Sequence, residues 1–193
     1  MIAAYIGYRV LTGDLGANPI TTITHLTGRA ALILLLLTLA TTPARAYLGV
    51  GAVSGARRPL GLYAFAFAVA HLLVFVAVDY GFDLDLIRAD GLAGKPYILV
   101  GAAALAVMVP LALTSNKMSM RRLGRRWKRL HKLVYVSAVL AAVHYLWIGK
   151  VITPPATVAA FTVATLLGLR AMMAWRRRPR AAARAAAPNG RAA

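Results

Sequence analysis

The chain has 193 residues, of which 60% are hydrophobic, and its mean hydropathy is +0.67. These values lie well above those of soluble proteins, so most of the chain is predicted to lie in a lipid bilayer. Cysteine is absent, which excludes disulfides, thiol catalysis, cysteine-ligated iron–sulfur clusters and covalently attached c-type haem. The net charge of +18 is concentrated between the apolar runs, which indicates membrane topology rather than nucleic-acid binding.

Six apolar runs predict an all-α, polytopic membrane bundle of five to six transmembrane helices within residues 1–175. The first run, residues 1–12, is shorter than the roughly 20 residues that a span needs, and we interpret it as a shortened first span. No repeat of 20–50 residues is evident. Residues 176–193 are rich in Arg and Ala and are predicted to be a disordered cytoplasmic tail. The other five predicted spans are 26–43, 60–78, 96–115, 130–148 and 156–175.

The charges predict the orientation of these spans. Seventeen of the 23 Lys and Arg residues fall in residues 44–58, 116–132 and 176–193, which the positive-inside rule places in the cytoplasm. All the acidic residues fall in the two loops on the opposite side. The chain is therefore predicted to be a multi-pass protein of a bacterial inner membrane, with outer loops that contain Asp14, Asp79, Asp83, Asp85 and Asp90.

Three of the four histidines lie in the apolar runs. His71 falls inside one run, whereas His131 and His144 begin and end another. Ionisable side chains at membrane depth are costly and usually functional, and neutral imidazole is a common axial ligand of haem iron. The alternatives are that each histidine joins two helices by a hydrogen bond, or that the histidines relay protons in a small transporter.

Helix geometry predicts which histidines share a depth. At about 1.5 Å per residue, His71 lies roughly 16 Å beyond Leu60 and His144 roughly 21 Å beyond Leu130, both measured from the inner side. His71 and His144 are therefore expected to hold one haem iron toward the outer face.

A second site is expected near the inner face. His131 lies only about 2 Å beyond Leu130 on the same scale. The positions where a partner histidine would fall on the other helix are Arg57 and Arg58. The sequence leaves open whether this site uses another ligand, a five-coordinate haem, a flavin or a quinone.

Further residues are candidate contacts to a cofactor or a partner. His25, at the outer surface, is a candidate ligand, propionate contact or quinone contact. Arg29 and Arg45 are candidate propionate contacts, the alternative being that they snorkel to the interface. The basic stretch Lys117–Lys132 at the inner side is explained mainly by topology and anionic lipid, the alternative being contact with flavin phosphate or an acidic flavoprotein. The inner candidates are Arg57, Arg58, Arg125, Arg126 and Trp127.

Several motifs, in order along roughly residues 13–155, resemble one family. They include Arg58-Pro59-Leu60-Gly61-Leu62-Tyr63, Arg122-Leu123-Gly124-Arg125-Arg126-Trp127-Lys128-Arg129-Leu130-His131 and His144-Tyr145-Leu146-Trp147. The pattern resembles the MsrQ family, the haem-binding membrane subunits of bacterial methionine-sulfoxide reductase systems, in the ferric-reductase-like transmembrane superfamily.

The resemblance implies an electron-transfer subunit rather than a stand-alone catalyst. Electrons would enter from a cytoplasmic NAD(P)H:flavin reductase or the quinone pool, cross on one or two b haems, and leave to a periplasmic molybdopterin-containing methionine-sulfoxide reductase that repairs proteins. His71, His131 and His144 match the family's haem-ligand positions, and the family is also associated with FMN. The alternative functions are a quinol-oxidising cytochrome b or a ferric-reductase-like protein with a different acceptor.

Overall fold

The computed structural model describes residues 2–49, 51, 53–90, 94–148 and 153–186. Within these ranges the chain is mostly helical and contains no β-strand, which confirms the predicted all-α class. The elements are α1 (Ile2–Leu11), α2 (Pro19–Leu48), α3 (Val53–Val74), a π-helical turn (Phe75–Asp79), α4 (Leu84–Ala89), α5 (Tyr97–Leu113), α6 (Lys117–Leu123), α7 (Arg125–Leu130), a 3-10 turn (His131–Leu133), α8 (Val134–Trp147) and α9 (Pro154–Ala186).

Four helical stretches in the described residues are long and apolar enough to cross a membrane, or five if α5 and α6 form one bent span. The axes of α5 and α6 meet at 92°. Helix α1 has 10 residues, which is about half the length needed to cross a bilayer. The fold is therefore a multi-pass membrane bundle, and the four unbroken stretches are Pro19–Leu48, Gly55–Asp79, Arg125–Trp147 and Pro154–Arg176.

Helix α2 is longer than the apolar run that predicts it. At its start, the Asn18 side chain accepts a hydrogen bond from the Thr21 backbone N–H at 3.2 Å, and Pro19 occupies the first turn, where a missing N–H costs nothing. At its end, Gly49 adopts a φ of 68°, a left-handed conformation that stops the helix. The polar cap and the glycine extend the helix beyond both predicted ends.

The chain continues as a helix through Pro43, where the sequence predicts the span to end. Proline has no N–H, so the carbonyl four residues earlier, that of Leu39, lacks its helical partner. Arg170 of α9 takes that place: its Nη2 and Nε donate to the Leu39 oxygen at 2.6 and 3.1 Å. A side chain from another helix thus replaces the missing backbone bond.

The basic segment 116–132 forms short helices instead of an irregular connection. The Asn116 side chain accepts from the Ser119 N–H at 2.7 Å and caps α6, and Gly124, with a φ of 48°, separates α6 from α7. Helix α9 extends to Ala186, into the segment predicted to be disordered, because Ala and Arg are strong helix formers. Residues 187–193 of the predicted tail lie outside the described residues.

Small side chains allow the spans to pack closely. Ala64 of α3 and Ser137 of α8 are fully buried, and the Ser137 hydroxyl donates to the Ala104 carbonyl of α5 at 3.0 Å. Small residues and interhelical hydrogen bonds are the usual means of helix association in lipid. The buried core is formed by Leu34, Leu35, Leu39, Ala64, Met108, Leu111, Val134, Ala138, Ala142 and Val163.

A cluster of three polar side chains joins the end of the α3 span to the start of α5. The Tyr80 hydroxyl and the Lys95 ammonium both donate to the same Asp90 oxygen, at 2.6 and 2.5 Å. The hydrogen bond from Lys95 lowers the pKa of Asp90, and the same bond raises the pKa of Lys95. Both groups are therefore charged across the neutral range, and their hydrogen bonds with Tyr80 link the end of the α3 span to the residues that precede α5.

Candidate metal centre

Two histidines from different helices meet near the end of the bundle that carries the acidic loop. His71 lies near the end of α3 and His144 near the end of α8. Their ring centroids are 6.2 Å apart and their planes meet at 75°. The structure therefore brings together the two histidines that helix depth predicts to be partners, and their role as iron ligands stays a prediction.

Each imidazole is held by a backbone carbonyl of a neighbouring helix. His71 Nδ1 donates to the Thr24 oxygen of α2 at 2.9 Å, and His144 Nδ1 donates to the Tyr97 oxygen of α5 at 2.7 Å. A carbonyl can only accept, so both Nδ1 atoms are protonated and each Nε2 carries a free lone pair. Metal-ligating histidines use this arrangement, which fixes the tautomer and makes Nε2 more basic.

The distance between the rings suits a single iron bonded to both imidazoles. With metal–nitrogen bonds of about 2 Å and about 1 Å from each nitrogen to its ring centre, the centroids would be roughly 6 Å apart. No group of three or more His, Cys, Asp or Glu residues in the described part of the chain could hold a metal ion. Two imidazoles are too few for a zinc-type site, whereas haem supplies the other four nitrogens itself. The pair therefore fits haem.

The centre consists of two half-sites, each made of one histidine, the backbone carbonyl that it binds and a nearby glycine. Equivalent residues of the two half-sites are 73 positions apart in the sequence (144 minus 71). In each half-site the carbonyl lies 47 residues before the histidine, and a glycine follows four residues after that carbonyl. The half-sites belong to the α2–α3 and α5–α8 hairpins. The first comprises Thr24, Gly28 and His71, and the second Tyr97, Gly101 and His144.

The carbonyl and glycine positions were missed by the sequence analysis. The period of 73 residues is longer than the 20–50 residues of the common structural repeats. Alignment at the 73-residue offset places Gly28-Arg29-Ala30-Ala31-Leu32 on Gly101-Ala102-Ala103-Ala104-Leu105. That shared motif is the signal that could have found them.

His131 lies toward the other end of the same span as His144, roughly 20 Å away along the helix at 1.5 Å per residue. The Trp127 ring stacks on its imidazole with a centroid distance of 3.9 Å, and the Thr114 hydroxyl bonds its Nε2 at 3.1 Å. Arg57 lies close enough to interact with it electrostatically. The described contacts of His131 are thus those with Trp127, Thr114 and Arg57.

The remaining candidate residues separate between the two ends of the bundle. His25 is half-buried on α2 and lies within electrostatic range of His71 and Asp79, so it borders the centre. Arg29 is exposed one turn further along α2, and Arg45 is exposed in the last turn, at the opposite end of that helix. At the basic end, Trp127 is half-buried and four arginines are exposed: Arg57, Arg58, Arg125 and Arg126.

The fold is a multi-pass membrane bundle in which two adjacent hairpins each contribute one histidine to a close pair, and the comparisons identify the class of membrane protein to which it belongs. Residues 27–142 match the family described as ferric reductase like transmembrane component. The "Protein-methionine-sulfoxide reductase heme-binding subunit MsrQ" of Ralstonia nicotianae is 44% identical over 168 residues, which are 86% of this chain and 77% of that protein. The protein of the same name in Brucella ovis is 44% identical over 165 residues, 86% of this chain and 74% of that protein. The chain belongs to this MsrQ family.

Proposed function

We propose that the chain is the haem-binding electron-transfer subunit of a methionine-sulfoxide reductase system in a bacterial inner membrane. The observation that supports this best is the pairing of His71 and His144 at 6.2 Å, each with Nδ1 bonded to a backbone carbonyl. Haem binding is also part of the name of the relatives.

In this proposal the chain supplies two iron ligands and a low-polarity setting. His71 and His144 would hold the iron through Nε2, and the carbonyls of Thr24 and Tyr97 keep both imidazoles in the neutral tautomer with Nε2 available. A b haem held there supplies a one-electron carrier. Arg29 and His25 are the nearest candidate contacts to its propionates.

The proposed direction of transfer runs from the basic end to the acidic end. Exposed arginines of α3 and α7 at the basic end suit an electron donor with an acidic surface, and we propose a cytoplasmic flavin reductase in preference to the quinone pool. His131 and Trp127 mark a second centre on this side, where a haem or FMN would receive the electrons. The acceptor is a periplasmic molybdopterin-containing reductase of oxidised methionine.

The histidine variants test the proposal directly. His71→Ala and His144→Ala should each abolish the same haem signal, because both histidines bind one iron, whereas His131→Ala should affect a different centre. The measurement is the reduced-minus-oxidised spectrum of purified protein, with haem and flavin quantified per chain. Gly168→Ala on α9, whose added Cβ would meet nothing within 4 Å, is the control and should keep the signal lost in His71→Ala.

The outcomes separate the parts of the proposal. A colourless wild-type preparation from haem-replete cells would refute haem binding. Loss of one common signal in all three alanine variants would refute the second centre. Reduction by quinol but not by a flavin reductase with NADH would replace the proposed donor and favour a quinol-oxidising cytochrome b.

A further inference from the structure

Each paired histidine lies directly against a glycine of the neighbouring helix. A Cβ atom added to Gly101 would lie 2.7 Å from His144 Cε1 and 2.8 Å from His144 Nδ1. A Cβ atom on Gly28 would lie 3.1 Å from the same two atoms of His71. Favourable contacts between carbon atoms begin near 3.5 Å, so any side chain at position 101, and more mildly at position 28, displaces the imidazole.

The two glycines also lie on the helical turns that hold the imidazoles. In an α-helix the N–H of residue i donates to the carbonyl of residue i−4, so Gly28 and Gly101 share the carbonyls of Thr24 and Tyr97 with the histidines. The Nδ1–H groups reach those same carbonyls at 2.9 and 2.7 Å. An imidazole can approach that close to a helix only over a turn without a side chain.

We propose that Gly28 and Gly101 are positioning residues, which set the coordination and the redox potential of the iron by letting His71 and His144 dock on these carbonyls. This inference rests on the proposed function. A hydrogen bond from Nδ1–H increases the electron density at Nε2, which favours ferric over ferrous iron. Weakening that bond raises the midpoint potential, and removing the ring from the iron converts low-spin haem to high-spin.

The test compares four alanine variants of the full chain, purified with haem. Gly101→Ala should lose the low-spin ferric signal, and Gly28→Ala, where the contact is looser, should keep it with a higher midpoint potential. The matched controls are Gly168→Ala, whose Cβ would meet nothing within 4 Å, and Gly61→Ala, whose Cβ would lie 3.8 Å from Thr38. Both controls should match wild type in EPR signal and potential.

Free imidazole supplies a rescue that a merely structural defect would not show. If Gly101→Ala displaces His144 from the iron, added imidazole should restore the low-spin spectrum. If Gly101→Ala does not accumulate, the potential of Gly28→Ala decides. If the wild type is low-spin, and if Gly28→Ala and any Gly101→Ala protein obtained have the same potential and signal as the wild type, the inference about the glycines is overturned but the proposed function is not. A wild-type protein without haem would overturn the proposed function.

Discussion

The imidazole planes of His71 and His144 meet at 75°, and this angle has a spectroscopic consequence. In ferric haem with two imidazole ligands, near-perpendicular rings keep the two π-bonding d orbitals close in energy, so the low-spin EPR signal is strongly anisotropic. The Thr24 and Tyr97 carbonyls fix this angle because each binds one ring from a different helix. The angle between the rings is therefore set by hydrogen bonds within the protein.

We expect purified, oxidised wild-type protein to give a low-spin signal with a large maximal g value at liquid-helium temperature. Gly168→Ala serves as the control and should keep the line shape, since its added Cβ would meet nothing within 4 Å. A rhombic signal of the kind produced by nearly parallel imidazoles would contradict the geometry.

At the scale of single residues, the sequence predicts which histidines pair but not what holds them. Depth along a helix follows from the rise per residue, so the partnership of His71 and His144 was predictable. Each imidazole touches one face of α2 or α5, and which face it touches depends on how the helix is rotated about its axis. The sequence does not define this rotation, because the apolar residues are distributed almost evenly around both helices. The roles of Gly28 and Gly101 follow from that rotation.

At the scale of helices, Arg170 connects α9 to the two hairpins. Besides the Leu39 carbonyl, its guanidinium donates to the Thr42 hydroxyl at 2.9 Å and to the Tyr135 hydroxyl at 2.9 Å. Pro43 creates the need for this contact because it leaves the Leu39 carbonyl without a helical donor. The sequence predicts the end of the span at Pro43 because a partner 131 positions away cannot be read from local patterns.

Arg170→Leu should destabilise the protein by about 1–3 kcal/mol, because it leaves a buried carbonyl without a partner. The measurement is thermal unfolding in detergent, followed by tryptophan fluorescence. Arg176→Leu, an exposed arginine further along α9, is the control and should have little effect.

A second substitution tests the cause. Pro43→Ala restores the N–H that can bond the Leu39 carbonyl, so it should recover part of the loss in the Arg170→Leu background. If the two changes are strictly additive, the Leu39 carbonyl is not the reason for the effect, because coupled residues depart from additivity.

At the scale of the molecule, composition alone predicts the class. A chain that is 60% hydrophobic and must satisfy its backbone in lipid forms helices, and the structure has them. The exact ends of those helices depend on caps and on contacts between spans. For that reason α2 and α9 differ from the predicted bounds, and the basic segment contains α6 and α7, which the apolar runs do not predict. Which end of the bundle faces the cytoplasm stays a prediction from the distribution of charge.

The absence of cysteine makes the orientation directly testable with single introduced thiols. Asp85→Cys places one in the acidic loop on α4, and Lys128→Cys places one in the basic segment on α7; both positions are exposed. The positive-inside rule predicts that a membrane-impermeant maleimide labels Asp85→Cys in spheroplasts, but Lys128→Cys only after lysis. The reverse pattern would put the paired histidines near the cytoplasm and invert the proposed direction of electron transfer, because the centre lies at the acidic end of the bundle.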